Sequence, residues 1–252
     1  MCESGGNRKP HPAGAGILEV ALMVNKKLAE AHQRLLREIE DEARATDQWT
    51  GRRRFSKQVM VAMAKVRRHE FLSSADHPCA YVNRPLPIGH GQTISQPYIV
   101  AVMTDFLDLE KSHRVLEIGT GCGYQAAVLA EVAAQVYSVE AIDKLAASAR
   151  KRLRKLGYKN VQVKTGDGYQ GWAEKALFDA VIVTAAPERI PQILIEQLKP
   201  GGRMVIPIGR VDETQILYCG IKGEAGNLET TKTLPVAFVP MVRRADKKKL
   251  WN

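Results

Sequence analysis

Three acids and a serine stand where they could hold a charged ligand. Glu117 lies in the short apolar run Val115–Ile118, directly ahead of glycines at 119, 121 and 123. Glu140 closes a second run, Gln135–Val139, about twenty residues after Gly119, the spacing at which an acid can take two ribose hydroxyls. Asp167 sits between Gly166 and Gly168 and could accept a hydrogen bond from an adenine amine. Ser95 ends a glycine-bearing stretch, two residues before Pro97. A strand that breaks into glycines and restarts as a helix lets a ligand lie against bare backbone. Each acid also has a plain reading, Glu140 as a helix-start charge and Asp167 as a turn residue. Together, each at the end of a strand-like run, they favour a nucleoside site.

The kind of nucleoside follows from what is missing. A nicotinamide fingerprint, G-x-G-x-x-G, needs its third glycine where this chain has Tyr124. With Glu117 ahead of the turn, the pattern suits a cofactor with a cationic amino-acid end and no pyrophosphate, S-adenosylmethionine. Thr184-Ala185-Ala186-Pro187 lacks the aromatic and second polar residue that would clamp an exocyclic base amine. No general base is evident either. A carboxylate acceptor needs none, because with an unperturbed pKa near ~4 it is already ionised at neutral pH. It needs alignment and a dry site.

The elements that must position these groups alternate. Residues 1–16, rich in glycine and proline, read as disordered. Leu28, His32, Leu35, Leu36 and Ile39 recur at helical spacing within an amphipathic helix over Ile17–Ala45. His32 is read as a packed or half-exposed residue with no catalytic weight. After a break at Thr46–Gly51, a second helix carries Phe55, Val59, Met63 and Val66 on one face, with Arg67, Arg68 and Glu70 capping its far end. Leu72–Gln96 reads as an irregular loop of functional length. Ser95 then falls in N-cap position for the helix bearing Ile99, Val102, Met103, Phe106 and Leu107, where an anion could dock. Strands follow at Val115–Ile118, Gln135–Val139, Val161–Lys164, Phe178–Thr184 and Arg203–Ile208. Helices come between them at Tyr124–Ala134, Asp143–Leu156 and Ile190–Leu198, and Gln215–Ile221 with Thr230–Val239 reads as a β-hairpin. This order predicts an α/β, doubly wound, Rossmann-like sheet with right-handed crossovers and its ligand at the strands' C-terminal ends.

Composition sets the limits. The chain has 252 residues, 45% hydrophobic and 25% charged, enough for one sizeable core and an appendage. No apolar run reaches the roughly 18 residues of a membrane span, and the expectation is a cytoplasmic protein. Cys2, Cys79, Cys122 and Cys219 are scattered without metal-ligand spacing, so no metal is expected. The net charge of +10 gathers at Arg52–Arg54, Arg67–Arg68, Arg150–Lys159 and Lys247–Lys249. Tyr158 is the one aromatic within these runs, short of the interleaving that base stacking would require. They read as solvated faces rather than a nucleic-acid surface, and their field would draw in an anionic substrate.

GQTISQP (Gly91–Pro97), VLEIGTGCGYQAA (Val115–Ala127), GDGYQGW (Gly166–Trp172), FDAVIVTAAP (Phe178–Pro187), LKPGGRMVIPIG (Leu198–Gly209) and FVPMV (Phe238–Val242) resemble the protein-L-isoaspartate (D-aspartate) O-methyltransferases, co-linearly over roughly Phe55–Val242. The resemblance implies a class I S-adenosylmethionine-dependent fold and a repair enzyme that methylates the free α-carboxylate of isoaspartyl residues in proteins and peptides, releasing S-adenosyl-L-homocysteine. By the same resemblance Ser95 is the active-site residue. Glu117, Gly119, Thr120 and Gly121 hold the methionine end of the cofactor, Glu140 the ribose, and Asp167 with Gly168 the adenine. The backbone at Ile94 and Val242 clamps the substrate peptide. Family members often carry serine where Cys122 stands, which weakens any contact through that side chain. The expected organisation is a disordered 1–16, a helical extension 17–50, a methyltransferase domain 51–242 and a basic tail 243–252, acting as a monomer. The alternatives are transfer to a small molecule or RNA, a basic binding module, and a nicotinamide dehydrogenase, against which Tyr124 counts.

Overall fold

The computed structural model of the chain describes residues 13–210 and 212–243. Most of the segment expected to be disordered, and the basic tail beyond Arg243, lie outside the described residues. Helix α1 (Ala13–Ala45) starts four positions before the expected Ile17. The periodic residues of its C-terminal half are core, with Leu35, Ile39 and Ala43 buried, whereas Leu22, Met23 and Val24 are exposed. His32 is buried and stacks on Tyr81, as its packed reading expected. A one-turn helix, α2 (Asp47–Thr50), stops at Gly51 in the left-handed region. Helix α3 (Lys57–Lys65) then turns Val59, Ala62 and Met63 inward. It is shorter than the helix expected there, because Val66 is already extended (φ −81°, ψ 106°). Arg68 caps nothing. It opens a separate 3-10 turn, Arg68–Phe71, and is fully buried.

The stretch 72–96 is not irregular throughout. It holds a 3-10 turn at Ser74–Cys79 and an antiparallel pair, β1 (Leu86–Gly89) and β2 (Gln92–Ile94), with Leu86 opposite Ile94. Gly89, His90 and Gly91 all have positive φ and close the hairpin. Strands this short carry no readable period. Helix α4 (Pro97–Phe106) has Pro97 in its first turn, which makes Gln96 the N-cap. Ser95 is therefore one residue outside the cap, and Asn83 Oδ1 accepts from the Tyr98 amide instead, at 3.0 Å.

The sheet is built from β3 (Arg114–Ile118), β4 (Gln135–Glu140), β5 (Val161–Thr165), β6 (Phe178–Val183), β7 (Leu198–Ile208), β8 (Gln215–Lys222) and β9 (Leu228–Val236). Helices α5 (Tyr124–Val132), α6 (Asp143–Lys155) and α7 (Gln192–Glu196) connect them. Spatial order is β5-β4-β3-β6-β7-β8-β9. Strands β3 to β7 pair in parallel, and β8 and β9 follow as an antiparallel meander on β7. The fold is the expected Rossmann-like one. The expected helix at Ile190–Leu198 shrinks to α7, since β7 begins at Leu198 and runs through Lys199-Pro200-Gly201-Gly202. A register shift absorbs these residues, and a Cβ on Gly202 would lie 2.8 Å from the Lys199 carbonyl.

Period-2 alternation sends β3 residues to two cores. Val115 packs with α1, α3, α4 and α5, while Leu116 and Ile118 pack with Val181, Val183, Leu194 and Met204. Order reverses between β3 and β6, a switch point where crevices open at the strands' C-terminal ends. No helix among the described residues is long and apolar enough to cross a membrane. If α1 is core, Ile39→Ala costs about 2–5 kcal/mol in denaturant unfolding, while Leu22→Ala stays within about 0.5 kcal/mol. Equally small effects would make α1 a passenger.

Candidate active site

At the end of β3 the chain leaves the sheet as Gly119, at φ 99°. A Cβ there would stand 2.4 Å from Thr184 Oγ1. That hydroxyl contacts the Gly119 carbonyl at 2.7 Å and the Ile118 carbonyl at 3.0 Å, joining the ends of β3 and β6. Gly121 (φ 54°) points its amide at Glu140 Oε2, 2.8 Å away, and the Ile142 amide donates to Oε1 at 2.8 Å. Glu140 is thus fixed by two main-chain donors. A carboxylate has about four lone-pair sites, so acceptor capacity remains for two hydroxyls. Gly123 (φ 93°) is the N-cap of α5. Gly168 has no room for a side chain, since a Cβ would meet Ile118 Cγ2 at 2.5 Å.

These groups surround one cleft. Ile118–Cys122 form its floor and Glu140–Ile142 one side. Gly168, Thr184, Ala185 and Val239–Val242 form the other, and Gln92–Ser95 of the β1–β2 lobe complete it. Residues 239–241 are carried there by pairing with the end of β6: the Ala186 amide donates to the Val239 carbonyl and the Met241 amide to the Ala186 carbonyl, both at 2.9 Å. Of the residues expected at the site, Ile94, Ser95, Gly119, Thr120, Gly121, Glu140, Gly168 and Val242 line this cleft.

Glu117 and Asp167 do not. Asp167 Oδ1 accepts from the Tyr169 amide at 2.9 Å and caps the turn Gly168–Gln170, which is its plain turn role. Glu117 is wholly enclosed beneath the floor, where Oε2 accepts from the Ser138 hydroxyl and Oε1 has no partner. With its one proton given to Glu117, Ser138 must accept from Thr120 Oγ1, so a relay runs Thr120–Ser138–Glu117 up to the cleft. Burial pushes the Glu117 carboxyl up to about 8, with a further push from Glu140 against the pull of Ser138.

Ser95 is held through its neighbours. Its carbonyl accepts from Arg68 Nη2 at 3.0 Å, and the adjacent Gln96 amide group reaches both carboxylate oxygens of Glu42 on α1, at 3.1 and 3.2 Å. Glu42 also accepts from Asn83 at 2.6 Å. Burial raises the Glu42 carboxyl and these amide donors lower it, burial being the larger effect. Among the described residues the Ser95 hydroxyl itself makes no hydrogen bond, so it is free to meet a ligand. Sequence reasoning placed Thr184 at a strand end without giving its hydroxyl a role, and it missed Ser138, Arg68 and Glu42 as parts of the site. A serine inside the apolar run 135–140 was a signal for Ser138. The others depend on contacts between segments far apart in the chain.

A family model described as protein-L-isoaspartate (D-aspartate) O-methyltransferase matches residues 46–246. The chain belongs to that family. Protein-L-isoaspartate O-methyltransferase 2 of Syntrophobacter fumaroxidans is 55% identical over 211 residues, 84% of this chain and 85% of that one. The protein of the same name from Polaromonas sp. is 55% identical over 207 residues, 82% of this chain and 98% of its own. A solved protein-L-isoaspartate O-methyltransferase superposes with a TM-score of 0.74 at 28% identity, over 84% of this chain and 66% of that one. A Plasmodium falciparum structure of the same description, in complex with S-adenosyl-L-homocysteine, shares the fold at 24% identity and a TM-score of 0.69, over 84% of this chain and 98% of its own.

The Glu117 carboxyl makes a pH prediction for the methyltransferase. Its folded pKa, about 8, lies above its ordinary value of 4.5. The stability tied to its proton is complete below the unfolded pKa and is lost as pH rises through the folded one. Urea unfolding should therefore show a fall in stability between these values that Glu117→Gln removes. An unchanged pH slope in the variant would place the titration elsewhere.

Proposed function

We propose that this chain transfers the methyl group of S-adenosylmethionine to the free α-carboxylate of L-isoaspartyl residues in damaged proteins and peptides. The observation that carries the reading is that Ser95 and Ile94 line the same cleft as the glycine turn and Glu140. The cleft fits the cofactor on chemical grounds. Gly119 and Gly168 leave bare backbone where any side chain would collide, and Glu140 keeps lone pairs for a ribose. Glu117, Gly119, Thr120 and Gly121 would hold the methionine end, Glu117 through the Ser138–Thr120 relay, and Gly168 would meet the adenine, with Asp167 behind it capping the turn that places Gly168. When bound, S-adenosylmethionine supplies an electrophilic methyl on a sulfonium cation.

The chain's own residues then have little chemistry to do. The Ser95 hydroxyl donates to one oxygen of the substrate carboxylate and leaves the other free to attack. The backbone at Ile94 and Val242 holds the peptide's main chain on either side, as an added strand is held. The β1–β2 lobe keeps water out. Opposite charges neutralise as the methyl moves, so a dry site favours the transition state over a wet one. One oxygen–carbon bond forms as the sulfur–carbon bond breaks, leaving a neutral ester and S-adenosyl-L-homocysteine. The next backbone nitrogen of the ester then closes a succinimide with loss of methanol. Its hydrolysis returns part of the material as ordinary aspartate. The reading includes a cytoplasmic monomer that acts on proteins and peptides without nucleic acid, and it admits D-aspartyl substrates.

The test uses labelled S-adenosylmethionine with paired peptides containing isoaspartate or aspartate. Base-labile label on the isoaspartyl peptide alone is the expected result, and base-stable label would mean transfer to nitrogen. Ser95→Ala should lower turnover by about 10²-fold, as loss of one aligned donor does, with cofactor affinity nearly unchanged. Equal loss of turnover and affinity would reduce the serine to a structural part.

A further inference from the structure

Arg68 heads the fully enclosed side chains of the described residues by size. It makes no ion pair among those residues. Its guanidinium donates only to main-chain carbonyls: Nη1 to Ala80 at 2.7 Å, and Nη2 to Arg84 and to Ser95, both at 3.0 Å. Nε is buried without an acceptor. The guanidinium carbon lies 6.0 Å from the centre of the Tyr124 ring, and Tyr124 and Ser95 both line the cleft. A buried cation without a counter-ion is a heavy burden on stability, which an apolar side chain of similar volume would lift. Packing alone gives no reason to keep it.

The three carbonyls supply the reason. Ala80 and Arg84 precede β1, and Ser95 follows β2. One rigid fork thus ties together both ends of the lobe that closes the cleft over the glycine turn. An ammonium cannot copy this, because only a planar guanidinium presents several donors in fixed directions. We infer that Arg68 is a positioning residue for methyl transfer: it locks the lobe 80–95 in place before substrate arrives, so that Ser95 already faces the cofactor. The inference rests on the carboxyl-methyltransferase reading above.

Arg68→Lys keeps the charge and loses the fork. On an isoaspartyl peptide its kcat should fall roughly 10- to 100-fold, as misplacement by about an ångström does. Affinity for S-adenosyl-L-homocysteine, measured by calorimetry, should stay near the wild-type value. A wild-type kcat, or kcat and affinity falling together, overturns the inference. Should the variant not fold, hydrogen exchange on the wild-type chain decides the matter. The amides of residues 80–84 and 92–96 should be equally protected with and without S-adenosyl-L-homocysteine, and protection that appears only on binding overturns the inference. A wild-type chain that leaves isoaspartyl peptides unmethylated would sink the reading of function instead, while the exchange data still judge the brace.

Discussion

The hydroxyl of Thr184 occupies the place where a side chain on Gly119 would be, and the cleft depends on that substitution. It lets β3 leave the sheet with bare backbone while the carbonyls of Ile118 and Gly119 remain hydrogen-bonded to Thr184. The glycine turn is consequently fixed rather than loose. Its next amide is aimed at Glu140, and α5 starts from its end. Parallel pairing of β4, β3 and β6 brings Glu140, the turn and Thr184 to one rim with no further device.

Chemistry at this rim is a matter of placement. An ionised acceptor and a cationic donor need no proton moved before they react, which fits a cleft lined by no histidine among the described residues. What they need is a fixed approach and little water. Three braces supply the first: the Arg68 fork on the Ser95 carbonyl, Glu42 on Gln96, and Asn83 on the first turn of α4. All three come from segments outside the seven-stranded sheet. Helix α1 is therefore part of the site's frame, although none of its described residues lines the cleft.

The sheet was legible because each strand is an apolar run followed by a turn residue, and the rim acids stand at those turns. Fold class and the rim positions Gly119, Gly121, Glu140 and Gly168 followed from that pattern, whereas Ile94, Thr120 and Val242 came from the family resemblance. What stayed hidden has physical causes. β1 and β2 are too short to show a period, so a paired lobe read as a loop. Pro97 moved the cap from Ser95 to Gln96. β7 runs through Pro200 and two glycines because pairing with β6 resumes beyond a register shift, a tertiary effect that overrides local propensity. Arg68 sits in a basic run that suggests a solvated face, yet it is buried. Glu117 was read correctly as a strand-end acid, but only the coordinates put it under the floor and not in the cleft.

The central claim is that one rim holds donor and acceptor in line, with Ser95 aiming the acceptor. A crystal structure of the chain with S-adenosyl-L-homocysteine tests it most directly. The thioether sulfur should lie over Gly119–Gly123, with the Ser95 hydroxyl on the side from which the methyl was lost. A ligand seated elsewhere, or a Ser95 side chain turned away from the sulfur, would contradict it.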